Sequence, residues 1–409
     1  MVAVDIGSTK VVAIVGQVQE GIIQVTGFGR SQNAGLRRGT VVDVEETVSS
    51  ISCAIEEAEK SAGVPFTRCF GSIGGNQITT VDSKGVIAVS RADGEIQPVD
   101  IERVVDADRS VAQPPNYEIL HINAKDFSVD GQTQIKDPTG MSGIRLETNA
   151  HVVGVSTIAL KNLTRSITQS GLNVDGIVFS PLAAAKAYLS KKQKEIGSIL
   201  IDFGASGTSI AVFEEGTLIH SKVIPIGSNH ITNDIAIGLK ITLEVAEKIK
   251  LNEVSLDADK INESHKLDLS KYDKNEKEKP SLKYVCEIVE ARLNEIYSLI
   301  KQELSDIERD EMLPAGAVLV GGGAKLDGIE AFTKNRLGLP AQVGKPFTEI
   351  SGIVDKLDDP EYATAVGLLL WGLDETQINV SNRPRIGIEF GSIGGALDKV
   401  KEVFKNFIP

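Results

Sequence analysis

Residues 2–10 are VAVDIGSTK. Val2, Ala3 and Val4 form a β-prone run that ends at Asp5, and after Gly7, Ser8, Thr9 and Lys10 a second apolar run continues from Val11 to Val15. The pattern predicts a tight β-hairpin with an exposed tip. Gly7 lets the backbone approach a ligand closely, Ser8 and Thr9 offer hydroxyls and amides, Lys10 brings a positive charge, and Asp5 can hold a hydrated Mg²⁺. These are the parts of a phosphate cradle, although a hairpin tip of Gly, Ser and Thr standing alone is as readily an ordinary turn.

Residues 198–213, SILIDFGASGTSIAVF, repeat the design: an apolar strand, Asp202, a Gly-rich turn and a second apolar strand. Two such hairpins in one chain suggest two similar domains facing each other, each presenting a loop to one phosphate chain. A third element, residues 317–329 (AVLVGGGAKLDGI), is a buried strand that runs into three glycines and then a helix. Its backbone can lie flat beneath a nucleoside while the helix N-terminus faces an anion. Between the second and third elements, AEKIK at 246–250 places Glu247 and Lys250 near one face of a helix.

In this order, with a connecting helix at 180–189 (SPLAAAKAYL) between the two hairpins, the chain resembles the actin, sugar-kinase and DnaK-type chaperone superfamily. The resemblance implies an α/β, actin-like two-domain fold with ATP and Mg²⁺ in the cleft between the domains. It also implies that Asp5 and Asp202 organise Mg²⁺ through water. Gly7, Ser8, Thr9 and Lys10 would then bind the β- and γ-phosphates, with Gly204, Ala205 and Ser206 on the other side. Gly321, Gly322 and Gly323 would support the nucleoside, Lys325 joins the same set, and Glu247 and Lys250 would lie at the ribose and adenine. Without the resemblance, Glu247 and Lys250 are equally well an exposed i,i+3 charge pair.

Two positions depart from the pattern of an active ATPase. Where many superfamily members read DxGGGTxD the chain reads DFGASGTS, so that Gly207 stands in the place of the Thr and Ser209 in that of the second Asp. The connecting helix opens with Ser180 before Pro181, where chaperones carry Glu-Pro. Hydrolysis needs a water that is positioned and partly deprotonated, and a serine hydroxyl serves poorly. No catalytic residue is assigned, and weak or absent ATPase activity is the expectation.

The bulk properties are those of a globular protein with a large core: 409 residues, 41% hydrophobic and 24% charged. A formal net charge of −13 argues against a general nucleic-acid binder. Cys53, Cys69 and Cys286 are odd in number and widely spaced, which supports neither a disulfide framework nor a zinc site and suits a reducing compartment. Asp5 and Lys10 interrupt any apolar leader, and nowhere do eighteen apolar residues follow one another.

Along the chain, residues 1–77 and 157–195 read as the first core domain. Residues 78–156 read as a small inserted α+β module, with short strands at 86–89, 118–122 and 126–129 and a helix at 99–111. Residues 196–372 form the second domain, with its outer subdomain at about 237–312. Within it, residues 251–283 are charged and read as a surface excursion, followed by a helix at 284–310. A polar linker at 373–391 leads to residues 392–409, where Leu397, Val400, Phe404, Phe407 and Ile408 fall on one face of an amphipathic helix with Lys399, Lys401 and Lys405 opposite. Such a helix either docks on the protein's own core or lies in a membrane interface, and the linker and the Phe and Lys content favour the membrane.

The inserted stretch EILHINAKDFSVDGQTQIKDPTGMSGIRLE (118–147) resembles that of the FtsA family of bacterial cell-division proteins. The resemblance extends to GLRRGTVVDVE (35–45), SKVIPIGSNHITNDIA (221–236) and ATAVGLLLWG (363–372). It implies an ATP-binding adaptor that forms homopolymers and recruits later division proteins. Such an adaptor tethers the tubulin-like FtsZ to the cytoplasmic face of the cell membrane at the septum, through a lipid-binding tail helix. The C-terminal peptide of FtsZ would dock near Arg292 and Glu295. A sugar-kinase-type phosphotransferase and a pilus-assembly relative of the PilM kind stand as alternatives.

Overall fold

The computed structural model describes residues 1–381 apart from 20–21, 92, 111–113, 258–263, 275, 277, 348–349 and 354–356. The tail helix expected at 392–409, with Leu397, Val400, Phe404, Phe407 and Ile408, lies outside the described residues.

The chain opens with β1 (Val2–Ile6), β2 (Lys10–Gln19) and β3 (Ile22–Gln32), then the short pair β4 (Leu36–Arg37) and β5 (Thr40–Val41), helix α1 (Val44–Ala62) and β6 (Arg68–Ile73). The insert follows as β7 (Ile78–Ala88), α2 (Pro98–Ala107), β8 (Tyr117–Val129), β9 (Gln132–Ile135) and β10 (Arg145–Ser156). The first domain resumes with α3 (Thr157–Gln169), β11 (Asn173–Phe179), α4 (Ser180–Tyr188) and α5 (Lys191–Ile196). The second contains β12 (Ser198–Phe203), β13 (Thr208–Glu214), β14 (Thr217–Ile224), α6 (Ser228–Leu239), α7 (Leu243–Asn252), α8 (Leu282–Asp306), β15 (Ala317–Val320), α9 (Ile329–Leu337) and β16 (Ala341–Val343). The chain then returns through β17 (Ile350–Gly352) and α10 (Ala363–Ser381).

The two main sheets are built alike. One runs β11-β6-β1-β2-β3-β17 and the other β14-β13-β12-β15-β16. Each is an antiparallel meander whose first strand also pairs in parallel with a later one, β1 with β6 and β12 with β15. Asp5 and Asp202 therefore sit at corresponding places, one residue from the end of the first strand of each sheet. Both strands are buried along nearly their whole length, as expected for central strands covered on both faces. Helix α1 covers the first sheet with a face of Ile51, Ala54, Ile55 and Ala58; Asp43 caps its N-terminus, and Gly63, in the left-handed region, its C-terminus.

Several local readings are corrected. The separate strands expected at 118–122 and 126–129 are one strand, β8, because the register shift opposite Asn149 and Ala150 takes up an extra residue at Lys125 without ending the pairing. The helix read at 99–111 ends at Ala107 and passes into a 3₁₀ turn at Asp108–Ser110. The helix read at 284–310 starts earlier and ends at Asp306. In the charged segment 251–283, Leu267 and Leu269 are fully buried against the second core, so this excursion is pinned to the domain. The linker expected from 373 begins within α10, which runs to Ser381: residues 374–381 contain neither Gly nor Pro, and Lys186 pairs with Asp374 at 2.6 Å.

Two histidines fasten the insert to both domains. On β8, His121 is buried, and its Nε2 accepts the Phe179 N–H at 3.0 Å immediately before α4. On β10, His151 lies between Asp82 (Nδ1, 2.9 Å) and the buried Ser221 hydroxyl of β14 (Nε2, 2.9 Å). Burial pushes His151 down and keeps it neutral, so Nδ1–H donates to Asp82 and Nε2 accepts from Ser221. Burial lowers His121 to about 4. Its contribution to stability is complete above pH 6.5 and is lost as the pH falls towards 4, about 3 kcal/mol in all. Urea titrations from pH 7 to 4 are expected to show the wild type losing stability relative to His121→Phe by this amount. Parallel curves would remove the assignment.

Candidate functional site

The tips of the two hairpins meet. Ser8 Oγ lies 2.6 Å from Ser206 Oγ, across the boundary between the domains. Around this contact opens a cleft of about 1450 Å³ lined by Asp5, Gly7–Lys10, Asp202, Gly204–Ser206, Glu247, Lys250, Gly321–Gly323 and Lys325. Every nucleotide-site residue expected from the sequence thus lies on one cavity. Arg292 and Glu295 lie elsewhere, on α8.

Each carboxylate is held differently. Ser72 on β6 donates to Asp5 Oδ1 at 2.6 Å, and its hydroxyl accepts the Ile6 N–H at 3.0 Å. Burial raises the Asp5 pKa even so. Asp202 is raised to about 7, first by burial and then by the charge of Asp5, while Lys10 pulls the other way. Burial and mutual repulsion thus oppose ionising both carboxylates at once, a balance that a bound cation would shift. Among the described residues there is no cluster of three or more His, Cys, Asp or Glu side chains that could cage a metal. Asp5 and Asp202 on one cavity could hold an ion that keeps most of its own water and shares its other ligands with a phosphate, as Mg²⁺ does.

The glycine loops leave room for a ligand. A Cβ on Gly322 would meet nothing within 4 Å and would project into open space, whereas Gly321 adopts φ +83° with Asp202 Oδ1 only 2.3 Å from where its Cβ would be. Gly321 thus permits the turn and Gly322 presents bare backbone. On α7, Glu247 reaches the cleft with its side chain 42% exposed, while that of Lys250 is 6% exposed. The Lys250 ammonium binds Glu247 at 2.7 Å, Thr232 at 2.9 Å and the Ser228 carbonyl at 3.4 Å. Lys250 therefore holds the Glu247 carboxylate in place.

Lys10 forms an ion pair with Glu361 at 2.9 Å, and Lys325 binds Asp359. Neither Glu361 nor Ser72 is legible in the sequence as a site residue: Ser72 sits in an ordinary buried strand and Glu361 in a short turn far along the chain. Arg292 holds Asp234 with two hydrogen bonds, at 2.6 and 2.9 Å, and also binds Glu295.

The family model described as "Cell division protein FtsA" matches residues 199–367, and that of the "SHS2 domain inserted in FTSA" matches residues 75–154. The chain is 37% identical to the cell division protein FtsA of Pseudomonas aeruginosa over 382 residues, covering 93% of this chain and 91% of that protein. The chain belongs to the FtsA family of cell-division proteins. The FtsA of Bacillus subtilis is 35% identical, with 92% of this chain and 84% of that protein covered.

Among solved structures, the PilM-PilN type IV pilus biogenesis complex aligns with TM-score 0.67 at 16% identity, covering 91% of this chain and 98% of that one. MreB5 of Spiroplasma citri bound to ADP aligns with TM-score 0.56 at 13% identity, covering 93% and 98%. At these identities the likeness concerns the fold, which is actin-like with an SHS2 insert in its first domain. The full-length relatives, and not the pilus protein, therefore assign the family. Among the described residues no helix is long and apolar enough to cross a membrane.

Proposed function

We propose that this FtsA-family protein binds ATP with Mg²⁺ in the cleft and uses the nucleotide to hold its two domains closed for homopolymer formation. The observation that supports this most directly is the meeting of the two hairpin tips at Ser8 and Ser206, with Asp5 and Asp202 on the same cavity. Bound Mg²⁺ would neutralise phosphate charge between the two aspartates. Gly7, Ser8, Thr9 and Lys10 on one side, with Gly204, Ala205 and Ser206 on the other, bind and orient the phosphates through backbone N–H groups, hydroxyls and the ammonium. Gly321–Gly323 carry the nucleoside, and Glu247, held by Lys250, accepts from ribose hydroxyls.

Ser180 lines the cleft at the start of α4, where a water-activating carboxylate would be needed, so hydrolysis is slow or absent. Turnover at rates typical of metabolic kinases would refute that part of the reading.

In the cell, the protein acts as an adaptor at the septum. The amphipathic segment 392–409 inserts into lipid on the cytoplasmic face of the membrane, and the outer part of the second domain takes the C-terminal peptide of FtsZ. One such helix binds weakly, and polymerisation adds the avidity that makes attachment stable. At the FtsZ surface, Arg292 is already paired, so an acidic peptide gains it by displacing the more exposed Glu295. The exposed Ile237 and Tyr284 nearby supply apolar contact. The inserted module contacts neighbouring subunits and later division proteins.

Flotation on liposomes containing anionic lipid tests the adaptor reading. The full chain with MgATP is expected to float and to carry an FtsZ C-terminal peptide with it, and a chain ending at Ser381 is expected to stay in the dense fraction. Equal flotation of the two would overturn the lipid assignment. The truncation point follows the end of α10, since a cut at 373 would remove helix that belongs to the fold.

A further inference from the structure

Glu361 lies on the rim of the cleft at the centre of a cationic cluster drawn from both domains. Its carboxylate binds Lys10 Nζ at 2.9 Å and Arg30 Nη1 at 3.2 Å, and Lys325 Nζ lies 4.0 Å away. Lys10 and Arg30 come from β2 and β3 of the first domain, and Lys325 follows the glycine loop of the second. The ring of Tyr362 lies beneath Lys10 at 5.2 Å and beneath Arg30 at 6.0 Å, and its hydroxyl accepts from Arg30 at 3.1 Å.

The turn that carries Glu361 is fixed. Pro360 O accepts the Gly321 N–H at 2.9 Å, and Asp359 Oδ1 accepts the Glu361 N–H at 3.0 Å. Burial alone would raise the Glu361 pKa, but Lys10, the Tyr362 hydroxyl and Lys325 together outweigh it and hold the carboxyl at about 2. The side chain is therefore a permanent anion, 13% exposed, and the carboxylate partner of both Lys10 and Arg30, while Lys325 is held by Asp359.

We propose that Glu361 is an internal counter-anion of the phosphate site, which occupies Lys10 when the cleft is empty and competes for it with incoming phosphate. This inference rests on the nucleotide reading of the cleft and adds a residue that sets its affinity. A polyphosphate must draw Lys10 from a carboxylate that already satisfies it, and must tolerate that carboxylate at short range. Without ligand, cations of both domains converge on the turn at 359–362, where Glu361 answers Lys10 and Arg30 and Asp359 answers Lys325. Affinity is correspondingly lowered, and nucleotide leaves more readily than an uncontested lysine would permit.

The test is binding of N-methylanthraniloyl-ATP with Mg²⁺ to the full-length wild type, Glu361→Gln and Glu361→Asp, read by fluorescence at several salt concentrations. Glu361→Gln removes the charge and nearly preserves the shape. It is expected to lower Kd roughly tenfold and to steepen the salt dependence, because Lys10 becomes free to pair with phosphate. Inorganic tripolyphosphate is expected to displace the probe at lower concentration from this variant than from the wild type. Glu361→Asp, shorter by one methylene, is expected to fall between, and it serves if the Gln variant does not fold.

Without ligand, the Gln variant is expected to melt below the wild type, since Lys10 and Arg30 lose their shared anion. Unchanged or weaker nucleotide binding by Glu361→Gln, with the wild type binding normally, overturns the proposal, and weaker binding would make Glu361 a positioning residue for Lys10. Absence of binding by wild type and variants alike overturns the nucleotide reading and this inference together.

Discussion

Asp202→Asn is expected to raise the thermal stability of the ligand-free protein at pH 8 while reducing Mg-nucleotide binding by two orders of magnitude or more. The stability half follows from Asp202 being raised to about 7 by burial and by Asp5. The folded protein holds a proton that the unfolded chain, with an ordinary carboxyl, has released. The stability contributed by that proton is complete below the ordinary carboxylate range and is lost as the pH rises through 7. Above 7 the folded state confines two negative charges in one cleft, and an amide relieves the repulsion. A shift of this size in a sealed interior would correspond to about 4 kcal/mol, but Asp202 is open to the cleft, and about 1–2 kcal/mol is expected.

The gain should vanish by pH 4, where the wild-type carboxyl is protonated as well. The binding half follows from the same charge, since Mg²⁺ bound as proposed would lose one of the two carboxylates on the cleft. Melting curves at pH 4 and pH 8, with and without MgATP, separate the two effects. A variant that is less stable than wild type at pH 8 would show that Asp202 is held by favourable contacts and not by strain against Asp5. The His121 contribution runs in the opposite sense over part of this range, so each group is best measured against its own variant.

What could be read from the sequence, and what could not, follows from how each residue is specified. Asp5 and Asp202 were legible because each ends a short apolar run followed by a glycine-rich turn, a local pattern that occurs twice. The paired sheets place both at the same structural position. Gly321–Gly323 were legible for the same reason, as a strand running into glycine. Ser72, Thr232, Arg30 and Glu361 were not: they carry no local pattern, and their roles arise when strands and turns far apart in sequence are brought together. Lys250 was legible as a helical charge near the cleft but not as a buried brace, because burial depends on how α7 packs against α6. The continuation of α10 through 374–381 was hidden by polar composition, which predicts exposure well but says little about helicity where Gly and Pro are absent.

Gly367→Ala is expected to cost more than about 3 kcal/mol or to prevent folding, a large effect for one methyl group. Helix α10 crosses α4 so closely that a Cβ on Gly367 would stand 1.7 Å from the carbonyl oxygen of Ala183 and 2.3 Å from its carbon. The obstacle is backbone, so no rotamer change relieves it, and Ala183→Gly is expected to fail as a suppressor. Gly16→Ala offers the contrast: its Cβ would meet first the Cδ2 of Leu369 at 2.8 Å, so a smaller residue at 369 should compensate most of the cost, with only the Gln24 carbonyl oxygen at 3.2 Å left to yield slightly.

The position of Gly367 gives the contact a functional side. Helix α4 begins at Ser180 on the cleft, and α10 follows directly from the turn that carries Glu361 and Tyr362. Forcing the two helices apart therefore shifts the floor and the rim of the cleft relative to each other. Folded Gly367→Ala protein, if recovered, should bind nucleotide more weakly although the substitution touches no cleft residue. Urea unfolding within about 1 kcal/mol of wild type would show that the crossing is looser than these distances imply.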